Sequence, residues 1–267
     1  MPVNNFSLIN HLLKFENPGD CYYLEILRRK KDGNIHCTGN NGDRIVRDYL
    51  VSYDGFLAEH ESEIKWICEN LNARAYIRLN RRNYKQISFQ FVNDFLAKVS
   101  KNDEIRNPFR ALYSACGIVN TEPRETQSWL IDVDDIKLDD TRLTSIENVL
   151  RTPGLNAKVK PENMIIARIP SKSGVHLIVH PFNMQSIFKC QGMKVQDIKI
   201  WNDMKVTVHK DNPTILYCEN WIVKIKIGEN MSDNEAKEKL VDLVVENVVL
   251  RSVGIFSVHI LAELRES

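Results

Sequence analysis

The chain has 267 residues, of which 43% are hydrophobic and 27% are charged, a composition typical of a folded globular protein rather than a disordered one. Lys and Arg total 36 against 35 Asp and Glu, so a nucleic-acid partner would require a local basic surface rather than an overall positive charge. The length suits one large domain or two coupled subdomains.

Strands and helices alternate along the first 120 residues. Turn signals rich in Gly and Asn separate the first two strands, and apolar residues at helical spacing mark the helices that follow. The predicted elements are strands over 21–29, 45–53 and 75–79 and helices over 56–72, 84–99 and 108–116.

Strands become more frequent in the second half of the sequence. The predicted elements are strands over 128–134, 164–169, 175–179, 204–209, 214–218 and 221–227 and helices over 141–151, 184–190 and 232 to about 250. Strands that are neighbours in sequence favour an α+β fold over a doubly wound parallel sheet. We place an N-terminal α/β module at 1–120 and a C-terminal module at 121–267.

The cysteines and the most apolar stretch indicate a protein of the cytoplasm. The six cysteines form no Cys-x-x-Cys pair, and no secretory signal is recognised, so we expect reduced core residues rather than disulfides or a zinc ribbon. The most apolar stretch, 240–261, contains Asp242, Glu246, Arg251 and His259, which argues against a membrane span.

The most informative motif is the run Trp129-Leu-Ile-Asp-Val-Asp-Asp135, in which a buried-type strand ends in carboxylates. Residues i and i+2 of a strand share a face, so Asp132 and Asp134 are expected to point the same way, with Cα atoms roughly 6 to 7 Å apart. Such a pair can hold divalent cations for phosphoryl or nucleotidyl transfer. Solvated loop carboxylates are the alternative interpretation.

A second motif, Ser171-Lys-Ser-Gly-Val-His176, leads from a loop into an apolar strand. Its backbone N–H groups, hydroxyls and Lys172 are groups that bind polyphosphate, and Gly174 permits a close backbone approach. His176 is placed to donate to a phosphate oxygen. An ordinary hairpin loop and a core histidine are the alternatives.

The order of the two motifs resembles that of the archaeo-eukaryotic primase and primase-polymerase superfamily. In that family an apolar strand ends in Asp-x-Asp, a loop with Ser and His follows, and a third strand carries another acidic residue. Here the matching segments are Ile131-Asp-Val-Asp134 and Ser173-Gly-Val-His176. The resemblance covers roughly residues 75–227, and the zinc-binding cluster of many members is missing from the sequence.

The resemblance implies an N-terminal α/β module and a C-terminal module like an RNA-recognition motif, with a mixed or antiparallel sheet. It also implies metal-dependent, template-directed nucleotidyl transfer in DNA replication or repair, by a small stand-alone member of phage or mobile-element type. Nucleoside triphosphates, single-stranded DNA and a separate helicase would be the partners, and Mg²⁺ or Mn²⁺ would be held by Asp132 and Asp134. The residues implied for the triphosphate are Arg168, Ser171, Lys172, Ser173, Gly174 and His176.

Two acidic residues compete for the third catalytic position. Asp203 begins the run Asp203-Met-Lys-Val-Thr207, which resembles the family's third motif, and Asp211 lies in the next predicted turn. A basic and aromatic segment with Arg78, Arg81, Arg82 and Tyr84 is a candidate for template binding by charge and stacking, with a solvated loop as the alternative.

Other functions stay open at the level of the sequence. A non-catalytic nucleic-acid-binding accessory protein on the same fold would need no third carboxylate, and a metal-dependent nuclease would leave the Ser-Lys-Ser-Gly loop unexplained. Lys30-Lys-Asp-Gly33 contains the Lys-x-Asp-Gly string of covalent nucleotidyltransferases, but the flanking strands favour a hairpin turn.

Overall fold

In the computed structural model, the described part of the chain forms two antiparallel β-sheets with helices packed on them. The described residues are 2–32, 43–101, 108–188, 194–204 and 206–219. The predicted α+β class with antiparallel sheets is confirmed. No helix in these ranges is long and apolar enough to cross a membrane. The elements predicted beyond residue 219, at 221–227 and from 232 to about 250, lie outside the described residues.

The elements follow one another along a unit that spans residues 1–219. The strands are β1 (Val3–Asn4), β2 (Asp20–Arg28), β3 (Arg44–Val51), β4 (Arg74–Ile77), β5 (Arg82–Asn83), β6 (Trp129–Asp134), β7 (Ile165–Pro170), β8 (Gly174–Val179), β9 (Thr207–His209) and β10 (Thr214–Cys218). The α-helices are α1 (Phe6–Asn10), α2 (Phe56–Leu71), α3 (Tyr84–Ser100), α4 (Pro108–Ile118), α5 (Thr141–Leu150) and α6 (Val195–Asp203).

The first sheet has the order β1-β10-β4-β2-β3, and β5 pairs with the start of β2. Alternation along β2 gives this sheet two packed faces. Leu24 and Ile26 join the cluster that contains Ile64 and Cys68 of α2, whereas Tyr23 joins a separate cluster with α3 and α4. Strand β2 is therefore buried on both sides over most of its length.

The second sheet has the order β7-β8-β6-β9 and is antiparallel throughout. One face packs on α5 and α6 through a cluster that includes Ile131, Val133 and Trp201. Helix α5 begins where the Asp140 side chain accepts a hydrogen bond from the Arg142 N–H at 2.8 Å, which is a standard N-cap. The other face packs in part on the first sheet and in part lines the cleft described below.

The two sheets share a core and a polar bridge. Leu130, Ile169 and Ile178 of the second sheet belong to the hydrophobic cluster of the first sheet. The Asn5 side-chain amide donates to the carbonyls of Pro170 and Ile215, at 2.9 Å each, and so joins β7 to β10. These contacts fix the relative position of the sheets at the side of the cleft.

Helix α6 is the main element that pattern reading did not find. Val195, Ile198 and Ile200 are β-branched and lie close together, so the segment carries no strong helical signal. In the structure Asp197 and Trp201 are the buried residues of α6, and their i, i+4 spacing is that of a helix face. Within the predicted strand at 204–209, the residues Thr207–His209 form β9 and pair with β6.

Candidate active site

Strand β6 directs its two aspartates into a cleft of about 430 Å³ between the sheets. Ile131 and Val133 are fully buried against the helices, so the alternate residues Leu130, Asp132 and Asp134 face the cleft. The two carboxylates therefore lie on the same face of β6, as predicted. The remaining polar lining residues are Glu25, Arg29, Asp43, Arg74, Tyr76, Tyr113, Ser171, Lys172, Ser173, His176, His209 and Asn212.

His176 lies directly opposite Asp132 in the pairing of β6 with β8. Its Nε2 is 3.5 Å from Asp132 Oδ1, and its Nδ1 is 2.9 Å from the Thr214 hydroxyl of β10. Burial lowers the pKa of the His176 imidazole, while the Asp132 and Asp134 carboxylates act in the opposite direction. A neutral ring at pH 7 follows, bound at one nitrogen and facing a carboxylate with the other.

The two carboxylates differ in what satisfies them. Asp134 accepts a hydrogen bond from the Ser173 hydroxyl at 2.9 Å. Oδ1 of Asp132 is buried and accepts no hydrogen bond from any residue that the structure describes. A buried carboxylate oxygen without a donor is costly in a folded protein, and a cation in the cleft would relieve that cost.

Gly174 serves the packing of the two strands. It pairs with Asp134, and a Cβ built on it would lie 2.0 Å from the Val133 carbonyl oxygen and 2.9 Å from Asp134 Cα. No side chain fits at that distance, so the glycine is what lets the loop residue Ser173 reach Asp134. The close approach predicted for Gly174 is thus made to the backbone of β6.

Two cationic side chains, Arg74 and Lys172, line the cleft together with the aspartates of β6. Lys172 Nζ lies 3.2 Å from Asp32 Oδ1, and Arg74 of β4 binds the same carboxylate through Nε at 2.7 Å and through Nη2. Arg74 and Lys172 both line the cleft. Positive groups held opposite a carboxylate pair match a ligand that carries both a cation and a phosphate chain.

The carboxylates of Asp132 and Asp134 suit a divalent ion that binds together with a phosphate-containing ligand. Across the part of the chain that the structure describes, no three His, Cys, Asp or Glu side chains are grouped to hold one metal ion. Mg²⁺ is commonly held by one or two carboxylates and completes its shell with substrate phosphates and water. Asp132 and Asp134 supply two carboxylates of this kind.

Neither candidate for the third carboxylate lies among the described residues that line the cleft. Asp203 is the last residue of α6 and is exposed. Asp211 accepts hydrogen bonds from Asn80 at 2.9 Å, from Arg78 at 3.2 Å and from Arg82 at 2.5 Å. Two guanidinium groups therefore already neutralise the Asp211 carboxylate.

The arginines predicted to bind a template have protein partners instead. The Arg82 side chain is fully buried, and Arg78 is 6% exposed. Arg81 forms ion pairs with three carboxylates, at 2.7 to 3.2 Å. Tyr84, at the start of α3, is 43% exposed. The contacts of the three arginines hold the β4–α3 connection in place.

Arg168 lies on the opposite face of the second sheet from His176. Ile169 pairs with His176 and Arg168 with Leu177, so alternation points the arginine away from the cleft. Its guanidinium forms an ion pair with both carboxylate oxygens of Glu147 on α5. The triphosphate role implied for Arg168 has no counterpart in this geometry.

The cleft residues that the sequence analysis missed include Glu25, Arg74 and His209. Each lies in a strand with no motif around it, so the sequence contains no local signal that separates it from a surface residue. Only strand pairing places them in the cleft. Glu25 is 3% exposed, and burial raises its pKa to about 7, with Asp48 and Asp43 adding to the shift and Arg78 opposing it.

The chain matches no family model, no curated protein and no solved structure in the comparisons made. Function is therefore inferred from the residues of the cleft.

Proposed function

We propose that the protein carries out metal-dependent, template-directed nucleotidyl transfer of the primase-polymerase type. The observation that carries the proposal is the convergence of Asp132, Asp134, Ser173 and His176, from two separate sequence motifs, in one cleft. A nuclease would need the carboxylates but not the loop. The loop hydroxyl bound to Asp134 ties the two motifs into one site.

The topology of the second sheet supports the family resemblance. Its elements run β6-α5-β7-β8-α6-β9, and the sheet order read from the far edge is β9-β6-β8-β7. This β-α-β-β-α-β sequence with the first and third strands at the centre is the ferredoxin-like arrangement, which RNA-recognition motifs share. The catalytic strands implied by the resemblance are the central pair, β6 and β8.

Each residue of the site has a separate task in the proposed reaction. Asp132 and Asp134 would bind the divalent ions, which when bound would activate the attacking 3′-hydroxyl and stabilise the leaving pyrophosphate. Ser173 orients Asp134 through its 2.9 Å hydrogen bond. His176, anchored on Thr214, orients Asp132 and offers a neutral ring to the cleft. Lys172 would neutralise phosphate charge.

One observation favours a second candidate, a non-catalytic nucleic-acid-binding accessory protein. Both predicted third carboxylates, Asp203 and Asp211, lie away from the cleft lining in the described structure. A site with two carboxylates would then bind a nucleotide and an ion without joining nucleotides. The two candidates differ in whether product forms.

The test is nucleotide incorporation on single-stranded DNA, with and without a primer, in Mg²⁺ or Mn²⁺. We expect wild type to form product and Asp132→Ala/Asp134→Ala to lose at least about 1000-fold of the rate, because both ion ligands are gone. The matched control is Asp54→Ala/Asp139→Ala, which removes two exposed carboxylates outside the cleft lining and should keep wild-type activity.

If folded wild type forms no product with Mg²⁺ and none with Mn²⁺, the enzymatic proposal is refuted. Binding of single-stranded DNA by that inactive protein would then support the accessory function. Product that survives in the double variant would place the chemistry elsewhere in the chain.

A further inference from the structure

Asp32 holds two cations that come from different parts of the fold. Arg74 belongs to β4 of the first sheet, and Lys172 belongs to the loop between β7 and β8 of the second. The Asp32 side chain is 7% exposed, and its two oxygens accept hydrogen bonds from Arg74 Nε, Arg74 Nη2 and Lys172 Nζ. Asp32 belongs to the Lys30-Lys-Asp-Gly33 segment, to which the proposed reaction gives no role.

Arg74 and Lys172 carry more N–H donors than they use in their hydrogen bonds to Asp32. A guanidinium has five N–H donors and an ammonium has three. Asp32 accepts two from Arg74 and one from Lys172, and Arg74 Nη1 makes one further contact, of 3.5 Å, with the Tyr76 hydroxyl. Several donors of these two side chains, which both line the cleft, thus have no partner among the residues that the structure describes.

The charge of the cluster is also unbalanced. One carboxylate faces two cations, so the group carries a net charge of about +1. Arg74 is 7% exposed and is paired with Asp32 through two hydrogen bonds, so the excess positive charge lies on Lys172, whose side chain is 32% exposed and can bind an anion in the cleft. The acidic side chains of β6 line the same cleft and are the groups that would hold the ion accompanying a phosphate chain.

We propose that Arg74 and Lys172 form a clamp for the polyphosphate chain of a nucleotide and that Asp32 is the positioning residue of this clamp. The inference rests on the proposed function for the identity of the ligand as a nucleoside triphosphate. Asp32 holds Lys172 against the first sheet and fixes the plane of the Arg74 guanidinium. The two cations can then bind neighbouring phosphate groups. A bidentate Arg–carboxylate pair is the geometry best suited to fix such a plane.

The test measures binding without catalysis, by titration calorimetry of the full chain with tripolyphosphate and with orthophosphate in the presence of a chelator. A clamp that spans two phosphates predicts that wild type binds tripolyphosphate at least about tenfold more tightly than orthophosphate. Lys172→Met should reduce tripolyphosphate affinity by about 10- to 100-fold, the loss of one charge-assisted contact, and bring the ratio towards one. Asp32→Asn keeps both cations but no longer fixes their positions, so it too should bring the ratio towards one.

The ratio separates a positioning role from a structural one, because partial unfolding lowers both affinities alike. Asp32→Glu should retain the preference for tripolyphosphate. Lys158→Met is the matched control, since it removes the same charge from a side chain that is 71% exposed and does not line the cleft.

Two results would overturn the clamp: wild type without measurable tripolyphosphate binding at millimolar concentration, or an unchanged ratio in Asp32→Asn and Lys172→Met. Failure of the clamp is distinguishable from failure of the proposed reaction. If the affinity ratio changes as expected but the protein forms no product, the clamp is supported and the proposed reaction is refuted. If product forms but the affinity ratio is unchanged in the variants, the proposed reaction is supported and the clamp is refuted.

Discussion

Asp211 and Asp132 are two acidic residues of the same motif set, but different groups surround them. Asp211 is bound by Asn80 and by the guanidinium groups of Arg78 and Arg82. Asp132 lies 3.5 Å from the His176 ring, and its buried oxygen accepts no hydrogen bond from the described residues. The difference shows that an aspartate near a β-strand is a candidate ion ligand only when the surrounding residues supply no cation for it.

The first prediction concerns the stability of the neutralised site. Asp211→Ala leaves the fully buried Arg82 and the nearly buried Arg78 without their carboxylate, and breaking such a buried pair typically costs about 3 to 5 kcal/mol. We expect a loss of this size in the free energy of unfolding, measured by urea denaturation. Asp203→Ala, at the exposed end of α6, should change it by less than about 0.5 kcal/mol. A loss below about 1 kcal/mol for Asp211→Ala would remove the contrast.

The second prediction concerns the strand contact that aligns the cleft motifs. Gly174→Ala places a methyl group 2.0 Å from the Val133 carbonyl oxygen, so β8 has to move away from β6. We expect a loss of about 3 kcal/mol and lower activity, because Ser173 no longer reaches Asp134. Gly117→Ala is the control, since its methyl group meets nothing within 4 Å and should be neutral or stabilising. Equal stability of the two variants would contradict the close approach.

The third prediction uses the acidic residue on the other wall of the cleft. Burial raises the pKa of Glu25 to about 7 from 4.5, so the folded protein binds a proton more tightly than the unfolded chain does. The stability from this group is present below pH 4.5 and is lost as the pH rises to 7, by about 3 kcal/mol. Glu25→Gln should therefore gain about that much relative to wild type between pH 4.5 and 8. Denaturation curves across that range check it, and a difference that does not change with pH would contradict it.

The fourth prediction completes the comparison with the smallest effect on stability. Asp132→Asn removes a charge that no Lys or Arg among the described residues neutralises, so the free energy of unfolding should stay within about 1 kcal/mol of wild type or rise. The proposed nucleotidyl transfer should nevertheless fall sharply, since the ion that it requires would lose a carboxylate ligand. Thermal melts beside the incorporation assay measure both. A large loss of stability would show that Asp132 has a structural role like that of Asp211.

The elements around the site were accessible from the sequence because their patterns are local. Alternation in β6 and the small-residue loop before β8 are signals contained within a few residues, and both were read correctly. The residues opposite them were not accessible. Arg74 and Asp32 are 42 positions apart, and Lys172 is 140 positions from Asp32, so only tertiary pairing reveals the cluster.

The arginines at 78 and 82 show the opposite error. A run of basic residues before a helix is a reasonable template-binding signal, but the sequence does not state which carboxylate will meet it. Here Asp211 does, from more than 120 residues away. Charge runs predict partners only after internal ion pairs have been assigned.

Strand β10 follows the second sheet in the chain but lies between β1 and β4 of the first. A gene divided near residue 120 would therefore produce a first half with an open gap in its sheet and a second half with an unpaired apolar strand. Exposed edges of this kind pair with other chains and aggregate. Recombination or engineering that transplants either half has to move residues 214–218 with the first one.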